Sequence, residues 1–178
     1  MITTATILSG VAQGLIWAIL TLGVYLTFRI LDIADLTVEG TFPLGAAVTV
    51  VLINTGMSPA MAMLCALLAG AAAGFITGFL HTIFQIPAIL SGILTMIALY
   101  SVNIRIMSDK ATVALEQPSL KTWMLSLLPE GTVSNTVSII LGTVFCLLIV
   151  ALLYYFFGTE IGCAVRATGS NQNMARSL

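Results

Sequence analysis

Three carboxylates, Asp32, Asp35 and Glu39, fall within eight residues of one another, in a chain with seven acidic residues in all. They sit directly after the first of several long apolar segments. Ionisable groups at membrane depth are costly and usually face a cavity, so the trio reads in two ways: a polar lining at the mouth of a transport path, or a solvated loop. Thr41 and Pro43 follow at once and extend the same candidate path. His81 is the single histidine and reads as the cap of a helix end, with a proton relay as the alternative. The three cysteines, Cys65, Cys146 and Cys163, are odd in number and two lie inside apolar segments, which argues against a disulfide framework. His-Glu-x-x-His, Cys-x-x-Cys, Gly-x-Ser-x-Gly and Walker-type Gly-Lys-Ser/Thr patterns are all missing, so the expectation is a chain with no catalytic residue, no metal site and no cofactor.

The elements that must position these residues are membrane segments. The chain has 178 residues, of which 59% are hydrophobic and 7% charged, and its mean hydropathy is +1.11. A soluble domain carries about 25% charged residues, and one of this size could not hide so much apolar side chain. Gly40 to Leu80 and Gly131 to Thr159 hold no charged residue or histidine, and each exceeds the roughly 20 apolar residues that cross a bilayer. A net charge of −1 with no basic tail gives no reason to expect nucleic acid as a partner. Period-two alternation is missing, so the fold class is all-α: a polytopic transmembrane helical bundle forming one domain over residues 1–178. The first segment starts at the N-terminus with no basic residue before it and reads as a permanent anchor.

Five segments are predicted, at about 7–28, 41–53, 59–80, 86–102 and 137–157. The second is short, and Pro43 suits a first helical turn with Thr41 as its cap. Leu36 to Pro43 is therefore predicted to break the chain ahead of a half-helix. Trp123 to Leu128 is apolar enough to lie at the membrane interface. Small residues recur every four positions at Ala62, Ala66, Gly70, Gly74 and Gly78, and again at Gly10 and Gly14, a spacing with which membrane helices approach closely. That stripe packs either within the bundle or along a seam between subunits. Under five crossings Arg29, Arg166 and Arg176 share one side, which the positive-inside rule makes cytoplasmic.

The polar tail, 158–178, reads as two short helical pieces, with Gly169 taking a conformation closed to other residues at the turn and Asn171 capping the second piece. Ala164, Ala167 and Ala175 keep its surface shallow.

The tail pattern Gly162-x-Ala164-x-Arg166-Ala167-x-Gly169-x-Asn171, followed by Met174-Ala175-Arg176-Ser177-Leu178, resembles the cytoplasmic coupling loop of ABC-importer permeases of the branched-chain amino acid type. That family commonly has a larger apolar residue where Cys163 stands. The run Phe28-Arg29 to Ala46 is similar to the region after the family's first helix, and its Asp35-Leu-Thr-Val-Glu-Gly40 variant resembles the tryptophan and tyrosine transport subgroup. The resemblance covers essentially the whole chain, ends inside the coupling motif and looks like the N-terminal part of such a permease. It implies a multi-pass cell-membrane subunit of an ATP-driven importer for amino acids or a related small solute. It also implies a cytoplasmic ATP-binding subunit that carries the hydrolysis, a periplasmic or extracellular solute-binding protein, and a second permease copy in a homodimer embedded in lipid. Within the loop, Glu160, Gly162, Arg166, Ala167, Gly169, Asn171, Ala175 and Arg176 are the expected coupling residues, with the two arginines pairing acidic groups of the ATPase. A secondary transporter or channel, or a membrane scaffold without a path, are the alternatives.

Overall fold

The structure, a computed structural model, describes residues 4–115, 122 and 134–170. The described residues are helical and contain no strand. In chain order they form α1 (Thr4–Tyr25) running into a π-turn (Leu26–Ile30), α2 (Thr37–Asn54), α3 (Pro59–Thr82), α4 (Ala88–Ile106), α5 (Ser134–Phe157) and the short α6 (Glu160–Ser170). Five of these helices are long and apolar enough to cross a membrane. They carry large apolar side chains such as Leu67 and Phe75, 67% and 73% exposed, as membrane-crossing helices do. The chain is a multi-pass helical membrane protein. Its helices gather into two compact units, Met1–Ile33 with Lys121–Leu178, and Ala34–Leu120.

In the first unit α1 packs along α5. Gly142 lets α5 approach the Leu15 side chain so closely that a Cβ there would lie 3.1 Å from Leu15 Cβ, and Val137 is fully buried. Both helices end at the same end of the unit, since Tyr25 and Phe28 share a cavity with Tyr154 and Phe157. The α-helix does not stop cleanly at Tyr25 but widens into the π-turn, where the Leu31 N–H bonds the Leu26 carbonyl and the Ile33 N–H bonds that of Thr27. Asp32 then takes φ 54°, a left-handed conformation that Asp tolerates better than most residues, and the helix ends.

In the second unit α2 is held between α3 and α4. Its start does not follow the expected break: the irregular stretch ends at Leu36, the helix begins at Thr37, and Pro43 lies inside it. The cap expected from Thr41 is absent; its Oγ1 donates instead to the Val38 carbonyl. Asp35 does the capping, with its Oδ1 accepting from the Thr37 N–H at 2.8 Å. A side chain that bonds two residues ahead competes well with Thr41 because it satisfies one of the free N–H groups of the first turn, and its charge suits the positive helix end. The resulting 18 residues span about 27 Å at 1.5 Å each, close to a full crossing.

Hydroxyls and small residues hold this unit together. Thr37 and Thr77, both buried, share a hydrogen bond of 2.9 Å between their Oγ1 atoms, tying α2 to α3. Thr77, Thr95 and Ser91 each also donate back to a carbonyl of their own helix. Gly92 admits the start of α2, since a Cβ there would stand 2.8 Å from the Leu36 backbone nitrogen. Gly40 lies against Leu99 and the Met96 backbone at 3.1 Å by the same measure. Asn103, also buried, donates from Nδ2 to the Gly40 carbonyl at 3.4 Å. Thr77→Val should weaken the α2–α3 contact by roughly 0.6–1.7 kcal/mol, the range for such bonds in membranes. A double-mutant cycle with Thr37→Val, read by unfolding in mixed micelles, measures it, and a coupling energy of zero would remove the bond from the account.

The small-residue stripe of α3 divides. Ala62 is fully buried, whereas a Cβ on Gly70, Gly74 or Gly78 would meet nothing within 4 Å, and the same holds for Gly10 and Gly14. The residues of α3 that face its neighbours are instead Ala62, Ala73 and Thr77. His81 caps the α3–α4 turn, its Nδ1 donating to the Ile86 carbonyl at 2.8 Å.

Candidate functional site: a short helix beneath the membrane spans

Thr159 starts α6. Its Oγ1 accepts from the Gly162 N–H at 3.3 Å while donating to the Phe156 carbonyl at 2.6 Å, a side-chain cap that turns the chain sharply out of α5. Glu160 sits in the first turn, where the helix end favours an acid. At 100° per residue, Gly162, Arg166 and Gly169 fall on one stripe of α6, and Glu160, Ala164 and Ala167 on the opposite one.

The two glycines of the first stripe pack inward, while Arg166 is exposed. A Cβ on Gly162 would overlap the Phe156 carbonyl, and one on Gly169 would overlap the carbonyl oxygen of Ile30 at the end of the π-turn. The expected turn at Gly169 is not found. α6 runs unbroken to Ser170, and among the described glycines only Gly56 has a positive φ. Gly169 is required for closeness of approach, and what it approaches is the end of α1. Spacing within the tail could not reveal this, because the partner backbone lies more than a hundred residues earlier. Asn171, Ala175, Arg176 and the rest of the second piece lie outside the described residues, as do Trp123 to Leu128.

Arg29, Asp32, Arg166, Gly169 and the rings of Tyr154 and Tyr155 line one cavity of about 1090 Å³ between α1, α5 and α6. The two arginines thus lie at one end of the first unit. Among the described residues the only ion pair is Arg105 with Asp109 at 3.8 Å, both well exposed and adding little to stability.

The acidic trio separates into three roles. Asp32 ends a helix, Asp35 caps one, and Glu39 is left exposed in the first turn of α2. Glu39 lines a second cavity of about 500 Å³, within the second unit, together with Gly40, Pro43, Met96, Tyr100 and Asn103. Pro43 has no N–H to return to the Glu39 carbonyl, which loosens the helix there. Asn103 commits its nitrogen to Gly40, and its Oδ1 is buried with no partner among the described residues. A buried acceptor without a donor is uncommon. Sequence reasoning passed over Asn103, Gly40, Gly92 and Thr77; a lone amide in an apolar helix was the available signal for the first. No group of three or more metal-binding side chains occurs among the described residues.

The family model described as branched-chain amino acid transport system, permease component, matches residues 6–178. A tyrosine transport system permease protein of Clostridioides difficile (strain R20291) is 38% identical over 97% of this chain and 55% of its own length. An uncharacterised protein of Rickettsia prowazekii (strain Madrid E) is 36% identical over 97% of this chain and 58% of its own length. The chain therefore spans a little over half the length of these curated relatives. No solved structure matches it significantly.

Proposed function

Because this chain belongs to the permease family of branched-chain amino acid transport systems, we propose that it contributes five spans to the transmembrane path of an ATP-driven importer, with an aromatic amino acid as its cargo. The tyrosine transport relative supports that cargo. The observation that carries the reading is the lodging of Gly169 against the Ile30 carbonyl. It joins a surface helix to the end of a membrane helix, so a push on α6 reaches α1 as a rigid-body displacement. The outward stripe, with Ala164 and Ala167 exposed, is the face offered to a cytoplasmic ATPase, which carries the hydrolysis. A helix docks in a groove through a few central anchors, and small residues let it enter deeply.

The cavity at Glu39, Pro43 and Asn103 is the proposed stretch of path, with acceptors for an amino group and apolar walls for a side chain. The open glycines of α3, Gly70, Gly74 and Gly78, are the proposed seam with a second permease copy, and a solute-binding protein delivers the cargo on the side opposite α6. On this arrangement α6 is cytoplasmic and the N-terminus is outside.

The experiment is uptake of labelled tyrosine by cells expressing the permease with its ATPase and binding protein. Glu39→Gln should lower uptake roughly tenfold, the scale of one charge-assisted hydrogen bond, at an unchanged level in the membrane. Uptake equal to the parent would remove this cavity from the path.

A further inference from the structure

The open cleft between α1, α5 and α6 is lined by two arginines, Arg29 and Arg166, and neither has a carboxylate within ion-pair distance among the described residues. Asp32 lines the same space without pairing with either. Arg29, Arg166 and Asp32 give this open cleft a net charge of +1, and the two exposed cations favour an anion between them. The surroundings fix what kind. Arg29 lies in the π-turn that continues a membrane-crossing helix, so the cavity opens at the depth where a span meets water. Tyr154 and Tyr155, 86% and 77% exposed at the end of α5, flank it, and such rings sit at headgroup level. The volume, about 1090 Å³, is just above the usual range for small-molecule sites.

We propose that this cavity binds the phosphate of an anionic phospholipid, with Arg29 and Arg166 as its ligands and the acyl chains running along the apolar outer faces of α1 and α5. A planar guanidinium can grip two phosphate oxygens at once, and basic pockets at the cytoplasmic ends of membrane helices select anionic headgroups in this way. Arg166 shares the stripe of Gly162 and Gly169 and lines the cavity, opposite Ala164 and Ala167, so the lipid and a docked ATPase would occupy different faces of one helix. The site stands or falls independently of the coupling reading, since lipid retention needs no ATPase. The bound lipid would hold α6 against the membrane and so set how firmly the helix is seated.

The test is native mass spectrometry of the purified intact permease, after incubation with phosphatidylglycerol or with phosphatidylcholine at equal concentration. Phosphatidylglycerol should be retained and phosphatidylcholine lost. Combining Arg29→Gln with Arg166→Gln should weaken retention roughly thirtyfold, from the contribution expected per basic residue at a membrane surface. Arg105→Gln removes the same charge outside the cavity and should leave retention unchanged. Equal retention of the two lipids, or no loss in the double variant, overturns the proposal. So does displacement of phosphatidylglycerol by millimolar inorganic phosphate, which would make this a site for the free anion. If the double variant fails to fold, retention in each single variant decides the matter.

Discussion

Gly169→Leu should stop transport while leaving the ATPase bound. There is no space for a side chain between α6 and the Ile30 carbonyl, so the larger residue must lift the helix away from the end of α1. The outward stripe is untouched, and the ATPase should still co-purify and still hydrolyse ATP. Ala167→Glu should do the reverse. It is exposed and on the opposite face, so the internal seating of α6 survives while a charge is driven into the groove. Loss of a central anchor typically costs about 2 kcal/mol or more in binding, roughly thirtyfold. The two variants are distinguished by measuring, on one preparation, ATPase retention and tyrosine uptake. If Gly169→Leu transports normally, the join between α6 and α1 is not the route of coupling. If Ala167→Glu retains its ATPase, the docking face lies elsewhere.

Gly92→Leu should destabilise the second unit by about 1–3 kcal/mol or more, as overpacking does when backbone must yield. The obstruction is the Leu36 nitrogen and the Asp35 carboxylate, at 2.8 and 3.1 Å from the position of the new Cβ, so the start of α2 would be pushed out and its cap lost. Gly74→Leu provides the contrast. Nothing lies within 4 Å of that position, and the isolated chain should unfold like the parent, with the defect confined to assembly of permease copies. Thermal unfolding in detergent, followed by sizing of the complex, separates the two. A Gly92→Leu chain as stable as the parent would mean that α2 and α4 do not approach as closely as described.

Composition and hydropathy made the membrane class and the five spans legible, because apolar runs near 20 residues have few other uses. The bounds of α3 and α5 followed from the same runs. α2 was harder for a physical reason. A proline is read by rule as a helix start, yet here Asp35 supplies a better cap, and the helix accepts Pro43 in its interior. Small residues were visible as a periodic stripe, whereas Gly40 and Gly92, which admit a neighbouring helix, stand outside it, and Gly169 stood out in the tail pattern but for a turn it does not make. What makes them necessary is the backbone opposite, and no local pattern records that. The acidic trio shows the same limit. Its three members look alike in the sequence and differ only in what each carboxylate meets.

The hydroxyls of the second unit bear on how the chain is made. Thr77, Thr95 and Ser91 bond carbonyls of their own helices, so each can enter lipid with that group already satisfied. Asn103 has no such local recourse; its amide nitrogen goes to Gly40 of α2. Synthesis runs from the N-terminus, and α2 emerges before α4. The segment carrying the most demanding polar group is thus the last of its unit to be threaded, and its acceptor is waiting in the bilayer. Reversing that order, by a permutation that delivers α4 first, would leave the amide in hydrocarbon with nothing to meet, at a cost of several kcal/mol during insertion.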